Sequence, residues 1–425
     1  MATALLIVIY FTFISLGLPD SILGSSWPAI ATNLGLDSAM NGFLSLVVSG
    51  GTIISSFASS FILKRVKPQF VILFSVVLTV LGLVIFSLTR ADYTWLFFLA
   101  CIPLGLGAGA IDSALNNYVA LHYKAIHMNW LHCTWGVGAS ISPLILGAFI
   151  NPEQSSSGWN WGVITIACVQ GAIFLLILVT LPLWNRMAAR ETKEEKEVEQ
   201  AGTDFKLSTL VHNPVTYLAM IGFLCYCALE NSTGLWISSF FKNTFDKPDD
   251  LCATLASIFY IGITVGRFIC GPLSLKFNEK RMIRIGQTIL TFGIGLSCLS
   301  LIGLNGSPEV METWSIIAIM GFVLTGLGCA PIYPAIIRST PYRFSREATP
   351  RVMGFEMGCA YIGTLAIPVT FGQIAEHTNN SFFALPIMTL ILALIMIFCH
   401  ETINHKLKRR DATLSPEELS HYRTL

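Results

Sequence analysis

Twelve long apolar stretches, separated by shorter polar segments, follow one another along the chain. A helix needs roughly 20 apolar residues to cross the hydrocarbon core of a bilayer. Stretches long enough for this occupy residues 4–32, 39–63, 68–89, 93–121, 128–150, 160–184, 212–241, 251–275, 281–304, 313–337, 350–374 and 381–400. The pattern therefore predicts an all-α membrane protein with twelve transmembrane helices.

One polar segment is much longer than the others and divides the helices into two groups of six. It runs from residue 185 to residue 211 and contains the highly charged run from Glu191 to Glu199. Such a run is too polar for a bilayer and is typical of a solvated helical linker. We therefore expect a first half over 1–184, a cytoplasmic linker over 185–211, a second half over 212–402 and a cytoplasmic tail over 403–425.

The composition excludes several other classes of protein. Of the 425 residues, 53% are hydrophobic and 12% are charged, against about 25% charged in average soluble domains. The net charge of +1 creates no field that would hold nucleic acid. The sequence contains no Walker or Rossmann glycine loop, and His400 and His405 are one residue too far apart for a zinc-protease helix. We therefore expect no enzymatic activity, no cofactor, no metal and no nucleic-acid partner.

Basic residues are concentrated in alternate loops. With both termini on one side of the membrane, 22 of the 26 Lys and Arg residues lie in the loops and tail of that side, and only Arg90, Lys242 and Lys247 lie in loops of the other. Cytoplasmic loops collect Lys and Arg. The distribution predicts an integral protein of the plasma (cytoplasmic, or cell inner) membrane with both termini in the cytoplasm.

Three features of the first half recur in the same order in the second half. They are Asp20 four residues before Gly24, matched by Glu230 before Gly234; Gly105-Leu-Gly, matched by Gly326-Leu-Gly; and Pro143 four residues before Gly147, matched by Pro368 before Gly372. Transporters of this size are often built from two related halves. The chain is therefore predicted to be a pseudo-symmetric pair of six-helix bundles.

Asp20 and Glu230 lie near the middle of the first and seventh predicted helices. A charge at this depth costs at least about 2.5–3.5 kcal/mol, so such residues tend to face a cavity and to have a function. Pro19 should disturb the first helix beside Asp20. Asp20 is therefore our first candidate for proton coupling and for the substrate site, and Glu230 is a further site candidate. The alternative is that both are carboxyl groups held permanently between helices.

The fourth predicted helix carries Asp112, Asn116 and Asn117. Asp112 and Asn116 share one helix face, and a carboxylate with carboxamides offers the donors and acceptors that a polyhydroxy ligand needs. We predict that Asp112 takes part in proton coupling and that all three residues contribute to substrate binding. The alternative is polar contact between helices, without a ligand.

Several other polar and aromatic residues are candidates for the wall of a central cavity. His132 can relay protons, and Trp135, three residues later, can stack on a sugar ring. The further candidates, whose alternative role is packing or anchoring at the membrane surface, are Trp27, Asn231, Trp236, Tyr333 and Tyr361.

Arg267 is the one Lys or Arg residue that lies deep within a predicted membrane helix and not at its end. It lies about three turns from a basic loop, where it can pair with a carboxylate or a carbonyl group of a neighbouring helix. We predict a structural or gating contact, to which Glu356 and the basic residues after the tenth helix could contribute. The matching stretch of the first half has no such arginine.

These motifs resemble the major facilitator superfamily, and within it the fucose, galactose and glucose permease branch of sugar:proton symporters. The resemblance covers all twelve helices and is most specific at Gly105 to Asp112, Ala228 to Asn231, Gly266 to Gly271 and Ile332 to Pro334. It implies two halves that rock about a central site, with an acid of the first helix and an acid of the fourth serving proton coupling and sugar binding. Those roles correspond to Asp20 and Asp112. The fourth-helix acid is usually glutamate in that branch, so the shorter Asp112 indicates an altered pocket.

The sequence thus favours a secondary transporter that imports a small polar solute, such as a hexose or deoxyhexose, by proton symport and works as a monomer in the lipid bilayer. Two alternatives stay open. One is a proton-coupled exporter of hydrophobic or cationic compounds. The other is a membrane sensor that keeps the fold without transport.

Overall fold

The first half of the molecule consists of seven helices that cross the bundle six times. The computed structural model describes residues 2–123, 125–188, 213–344, 349–379 and 381–414 of the chain. The helices of the first half are α1 (Ala2–Asp20), α2 (Ile22–Leu34), α3 (Met40–Ile62), α4 (Pro68–Ser87), α5 (Leu96–His122), α6 (Ala125–Phe149) and α7 (Trp159–Ala188). Short 3-10 turns precede α5 and α7, at Ala91–Tyr93 and Pro152–Gln154. Helices α1 and α2 together make one crossing.

The second half repeats this arrangement. Its helices are α8 (Pro214–Phe245), α9 (Asp249–Leu273), α10 (Glu279–Leu299), α11 (Pro308–Cys329), α12 (Ile332–Phe344), α13 (Thr349–His377) and α14 (Leu385–Asp411). Two 3-10 segments, Ser300–Asn305 and Phe382–Ala384, precede α11 and α14. Here the crossing that is divided between two helices is the one made by α11 and α12.

The prediction of twelve crossings is confirmed. Within the described ranges, eleven segments are long and apolar enough to span a membrane. The remaining crossing is α6, which has 25 residues and more polar positions. The expected linker over 185–211 begins in the last turn of α7, which continues to Ala188, and the rest of it lies outside the described residues. The expected start of the tail at residue 403 lies inside α14, which continues to Asp411.

Two crossings are interrupted near their middle. The first breaks at Ser21, directly after Pro19 and Asp20. Proline lacks the N–H that would continue the helical hydrogen bonds, so the predicted disturbance beside Asp20 is present. The tenth breaks at Ala330 and Pro331. Both breaks occur where the chain borders the space between the two halves.

Close contacts at glycines show that the two halves are built alike. A methyl group at Gly105 would lie 2.2 Å from the carbonyl oxygen of Val48, and a methyl group at Gly326 would lie 2.1 Å from that of Phe259. Helix α5 therefore approaches α3 just as α11 approaches α9, because only a residue without a side chain fits between the backbones. The internal repeat predicted from the glycine motifs is a structural repeat.

The halves are held together at the end of the bundle opposite the termini. There the backbone N–H of Ala39 donates to Glu376 Oε2 at 3.1 Å, and the Ser156 hydroxyl donates to the buried carboxylate of Asp249. Nearer the middle, α2 touches α8, since a methyl group at Gly24 would lie 2.1 Å from the carbonyl oxygen of Gly234. These contacts close the molecule on that side and leave a cavity at mid-depth.

Candidate functional site

A cavity of about 350 Å³ lies between the two halves near mid-depth. The break between α1 and α2 places Asp20 on its wall, and α3, α5, α6, α8, α9, α12 and α13 contribute most of the rest. Nine of the predicted site residues line it, namely Asp20, Asp112, His132, Trp135, Glu230, Asn231, Arg267, Tyr333 and Tyr361. The cavity therefore brings together most of the intramembrane polar groups found in the sequence.

A chain of contacts crosses the cavity from the first half to the second. The indole N–H of Trp135 donates to Asp20 Oδ2 at 2.7 Å. The guanidinium carbon of Arg267 lies 4.9 Å from the centre of the Trp135 ring, within the range of a cation–π contact. Arg267 Nη2 is also 3.5 Å from Glu230 Oε1. Helices α1, α6, α9 and α8 are thus linked through four side chains.

Arg267 is paired through its two Nη atoms, whereas its Nε forms no hydrogen bond with a described residue. Its side chain is only 8% exposed, and its Nη1 donates to the backbone carbonyl oxygen of His132 at 3.1 Å. A buried guanidinium requires an acidic partner and further acceptors, and Glu230 with His132 supplies them. Arg267 therefore joins α9 to α8 and α6, as a structural or gating contact would require.

Asp20 and Asp112 have a different environment. Among the described residues neither forms an ion pair, and each accepts one hydrogen bond from a neutral donor. Asn116 Nδ2 donates to Asp112 Oδ1 at 2.8 Å, so Asn116 contacts a lining residue without lining the cavity itself. The side chain of Asp20 is exposed to the cavity although it lies deep in the bundle. Both carboxyl groups are available to a solute or a proton.

Five predicted residues lie away from the cavity wall or behind it. Trp27 is fully buried, with its ring 5.9 Å from that of Phe97. Trp236 donates to the carbonyl oxygen of Pro368 at 3.0 Å. Glu356 is buried and accepts a hydrogen bond from the Thr340 hydroxyl at 2.9 Å. The other two are Asn116, behind Asp112, and Asn117, which is exposed on α5.

Several polar residues that were not predicted from the sequence also line the cavity. Tyr260 lies seven residues before Arg267 on the same face of α9, and its ring centre is 6.1 Å from that of Trp135. Ser45, Ser49 and Thr52 form a polar stripe along α3. Their spacings of three, four and seven residues are a helical signal that could have revealed them.

A family model described as Major Facilitator Superfamily matches residues 9–286 and 251–423. The chain belongs to this superfamily. Two curated relatives align over most of this transporter. Bypass of stop codon protein 6 of Saccharomyces cerevisiae is 22% identical over 399 residues, which cover 88% of the chain and 77% of the relative. Protein TsgA of Shigella flexneri is 24% identical over 370 residues, which cover 86% of each.

Solved structures of the superfamily share the fold of this transporter. The inward-open xylose transporter XylE from E. coli superposes with a TM-score of 0.73 at 13% identity over 99% of each chain. The transporter FucP in an outward conformation gives a TM-score of 0.61 at 15% identity, covering 94% of this chain and 98% of that one. The facilitator is therefore an integral membrane transporter with two six-helix halves.

Proposed function

We propose that this transporter imports a small polar solute, a monosaccharide such as a hexose or deoxyhexose, together with protons. Alternating exposure of the central cavity to the two sides of the membrane would carry both. The proposal includes a monomeric unit in the plasma membrane and cytoplasmic termini, the last of which the distribution of basic residues along the chain supports.

The observation that carries the proposal is the pair of acidic side chains without a cationic partner. Asp20 and Asp112 line the cavity and accept hydrogen bonds from Trp135 and Asn116. A carboxylate without a counter-ion is expensive inside a membrane protein. A proton compensates its charge fully, and a ligand that donates hydrogen bonds compensates it in part. The cavity can therefore bind a proton and a solute at the same pair of carboxyl groups.

The rest of the wall suits a sugar. Hydroxyl groups donate to carboxylates and accept from amides, and the apolar faces of a sugar ring pack on aromatic side chains. The rings available are those of Trp135, Tyr260, Tyr333 and Tyr361. The volume of about 350 Å³ is at the lower end of the roughly 300–1,000 Å³ usual for small-molecule sites, which favours a solute of one ring.

The contacts of Glu230 remove one of the two acids, Asp20 and Glu230, on which a pocket for cationic compounds was expected to depend. Glu230 is already paired with Arg267 at 3.5 Å, so its charge is largely compensated. The xylose transporters among the solved relatives, one of whose titles reads D-xylose-proton symporter, support a sugar by analogy of fold alone.

The test is uptake into liposomes that contain the purified protein. Radiolabelled L-fucose, D-galactose, D-glucose and D-xylose are offered with and without an inward proton gradient. We expect at least one sugar to accumulate faster with the gradient, and Asp20→Asn to abolish that acceleration. The matched control is Asp37→Asn, because Asp37 is exposed in the loop between α2 and α3. Gradient-driven accumulation that persists in Asp20→Asn would reject the assignment of Asp20.

A thermal-shift measurement with the same sugars separates this function from the alternatives. Stabilisation by lipophilic cations but not by sugars would instead support an exporter. Sugar binding without flux would support a sensor.

A further inference from the structure

A second, much smaller chamber adjoins the central cavity toward the end of the bundle that carries the termini. Its volume of about 10 Å³ is close to the space that a single water molecule needs. Its wall comes from α6, α9, α10 and α12, and it shares His132 and Arg267 with the central cavity. The other polar residues of the wall are Asn129, Ser274 and Arg338.

Positive charge in this wall exceeds negative charge. Arg267 and Arg338 both line the chamber, and no carboxylate does. The Nε atoms of both arginines are buried and form no hydrogen bond with any described residue. Glu230 compensates Arg267 from the central cavity. Arg338, by contrast, has no ion pair within the described part of the chain, so the described wall has a net positive charge.

The break in the tenth crossing adds a second source of positive potential. Helix α12 begins at Ile332; Ala330 and Pro331 directly before it and Pro334 in its first turn border the chamber. The start of a helix carries partial positive charge, which here acts as a potential and not through donated hydrogen bonds, because Pro331 and Pro334 have no N–H. An uncharged donor, the Asn129 amide, faces the same space, whereas the Ser274 hydroxyl already donates to Gly271.

We propose that this chamber binds a single halide ion, chloride under ordinary conditions, between Arg267 and Arg338. The two guanidinium groups exclude a metal cation, and a chamber of this size needs far less rearrangement for a monatomic anion than for a polyatomic one such as phosphate. A halide is somewhat larger than water. Met282 and the half-buried Arg338 are flexible side chains that can provide the extra room.

Such an ion would connect the two halves. Asn129 and His132 belong to the first half, whereas both arginines belong to the second half. A ligand that binds only when these walls are close favours the conformation in which they are close. Halide binding would therefore stabilise the packing of α6 against α9 and α12.

The first experiment is diffraction from crystals of the full chain grown in bromide. We expect an anomalous peak between Arg267 and Arg338. A site filled by water, with no anomalous signal at high bromide concentration, overturns the proposal. This measurement needs no variant, no sugar and no proton gradient, so its outcome is independent of the proposed sugar transport.

The second experiment follows the thermal unfolding of the purified protein as chloride replaces gluconate at constant ionic strength. We expect a saturable rise in Tm of at least about 2 °C. Arg338→Gln should lose this rise, whereas Arg281→Gln, at an exposed arginine near the same end of the bundle, should keep it. An equal response of both variants to chloride overturns the site. If Arg338→Gln does not fold, the bromide peak decides.

Discussion

The two halves surround one cavity with the same backbone contacts but with different side chains. Asp112 is seven residues after Gly105, and the residue seven after the equivalent Gly326 is Tyr333. Both face the cavity. The first half therefore presents an acid where the second presents a phenol, which can bind a hydroxyl group but carries no charge at neutral pH.

The reverse difference occurs on the helices beside them. Five residues after Gly262 stands Arg267, and five residues after the equivalent Gly51 stands Ser56. The Ser56 hydroxyl donates to the carbonyl oxygen of Gly109 at 3.1 Å, within its own half. The second half thus has a base that pairs with its acid, and the first half has none there.

The two halves of a duplicated bundle can keep the same backbone packing and still have different functions. Glycines such as Gly105 and Gly326 keep the backbones in equivalent places, while the cavity side chains differ. Asp20 has no cationic partner among the described residues, whereas Glu230 at the matching position is paired with Arg267. We infer that Asp20 serves coupling and that Glu230 serves the integrity of the second half.

The largest expected effect comes from making the same change at these two matching acids. Glu230→Gln leaves the buried Arg267 without an acidic partner, so we expect a loss of about 2–3 kcal/mol of stability. Asp20→Asn leaves no cation unpaired and should cost less than about 1 kcal/mol. Thermal unfolding in detergent compares the two variants.

The control is the double variant Glu230→Gln with Arg267→Gln. It removes both charges and should be less destabilised than Glu230→Gln alone. If Asp20→Asn and Glu230→Gln lower Tm equally, the inferred division of tasks between the halves is wrong.

A smaller effect is expected at the glycines where α2 meets α8. A methyl group at Gly24 would meet the backbone of Gly234 at 2.1 Å, whereas a methyl group at Gly234 would meet the hydroxyl end of Tyr260 at 2.4 Å. A side chain can turn away more easily than a backbone. Gly24→Ala should therefore cost about 2 kcal/mol through overpacking, and Gly234→Ala should cost less.

Hydrogen exchange of the α2 amides and thermal unfolding together measure this difference. Gly24→Ala should separate α2 from α8 and speed up exchange in α2. Gly50→Ala is the matched control, because no atom lies within 4 Å of the added methyl group. Equal exchange in Gly24→Ala and Gly50→Ala would show that the contact does not hold the two halves together.

Much of the fold could be predicted from the sequence, because membrane crossings are long and their repeat is local. The spacing of Asp20 and Gly24, repeated at Glu230 and Gly234, indicated two equivalent crossings. Pro19 indicated the break that exposes Asp20. These signals depend on neighbouring residues in the chain and on the thickness of a bilayer, so no knowledge of helix packing is needed.

The rotation of each helix about its axis could not be predicted in the same way. Trp27 and Trp236 were expected at the cavity, but their helices turn them toward Phe97 and Pro368. That rotation is set by contacts between distant segments, such as Gly24 against Gly234. The bond between Trp135 and Asp20 joins residues 115 positions apart, and no local pattern reveals it.

The smallest effect we predict tests that bond. The residue equivalent to Trp135 in the second half is Ala360, which has no group to donate to an acid; both lie three residues before matching glycines, Gly138 and Gly363. Trp135→Phe keeps an aromatic face for Arg267 but removes the N–H that donates to Asp20. A hydrogen bond to a charged group is worth about 1.5 kcal/mol, so we expect gradient-driven uptake to fall by up to about tenfold, the limit reached when the whole loss falls on the slowest step of transport.

The matched control is Trp27→Phe, because it makes the same change of side chain at a buried indole. The Trp27 N–H forms no hydrogen bond with a described residue, and the ring is not part of the cavity wall. Its uptake should stay near that of the unsubstituted protein. An equal loss in the two variants would mean that ring size matters and the bond to Asp20 does not. If only Trp135→Phe loses uptake, the hydrogen bond from Trp135 on α6 to Asp20 on α1 is needed for transport. The second half has no equivalent of this bond, so the two halves would then differ in function as well as in side chains.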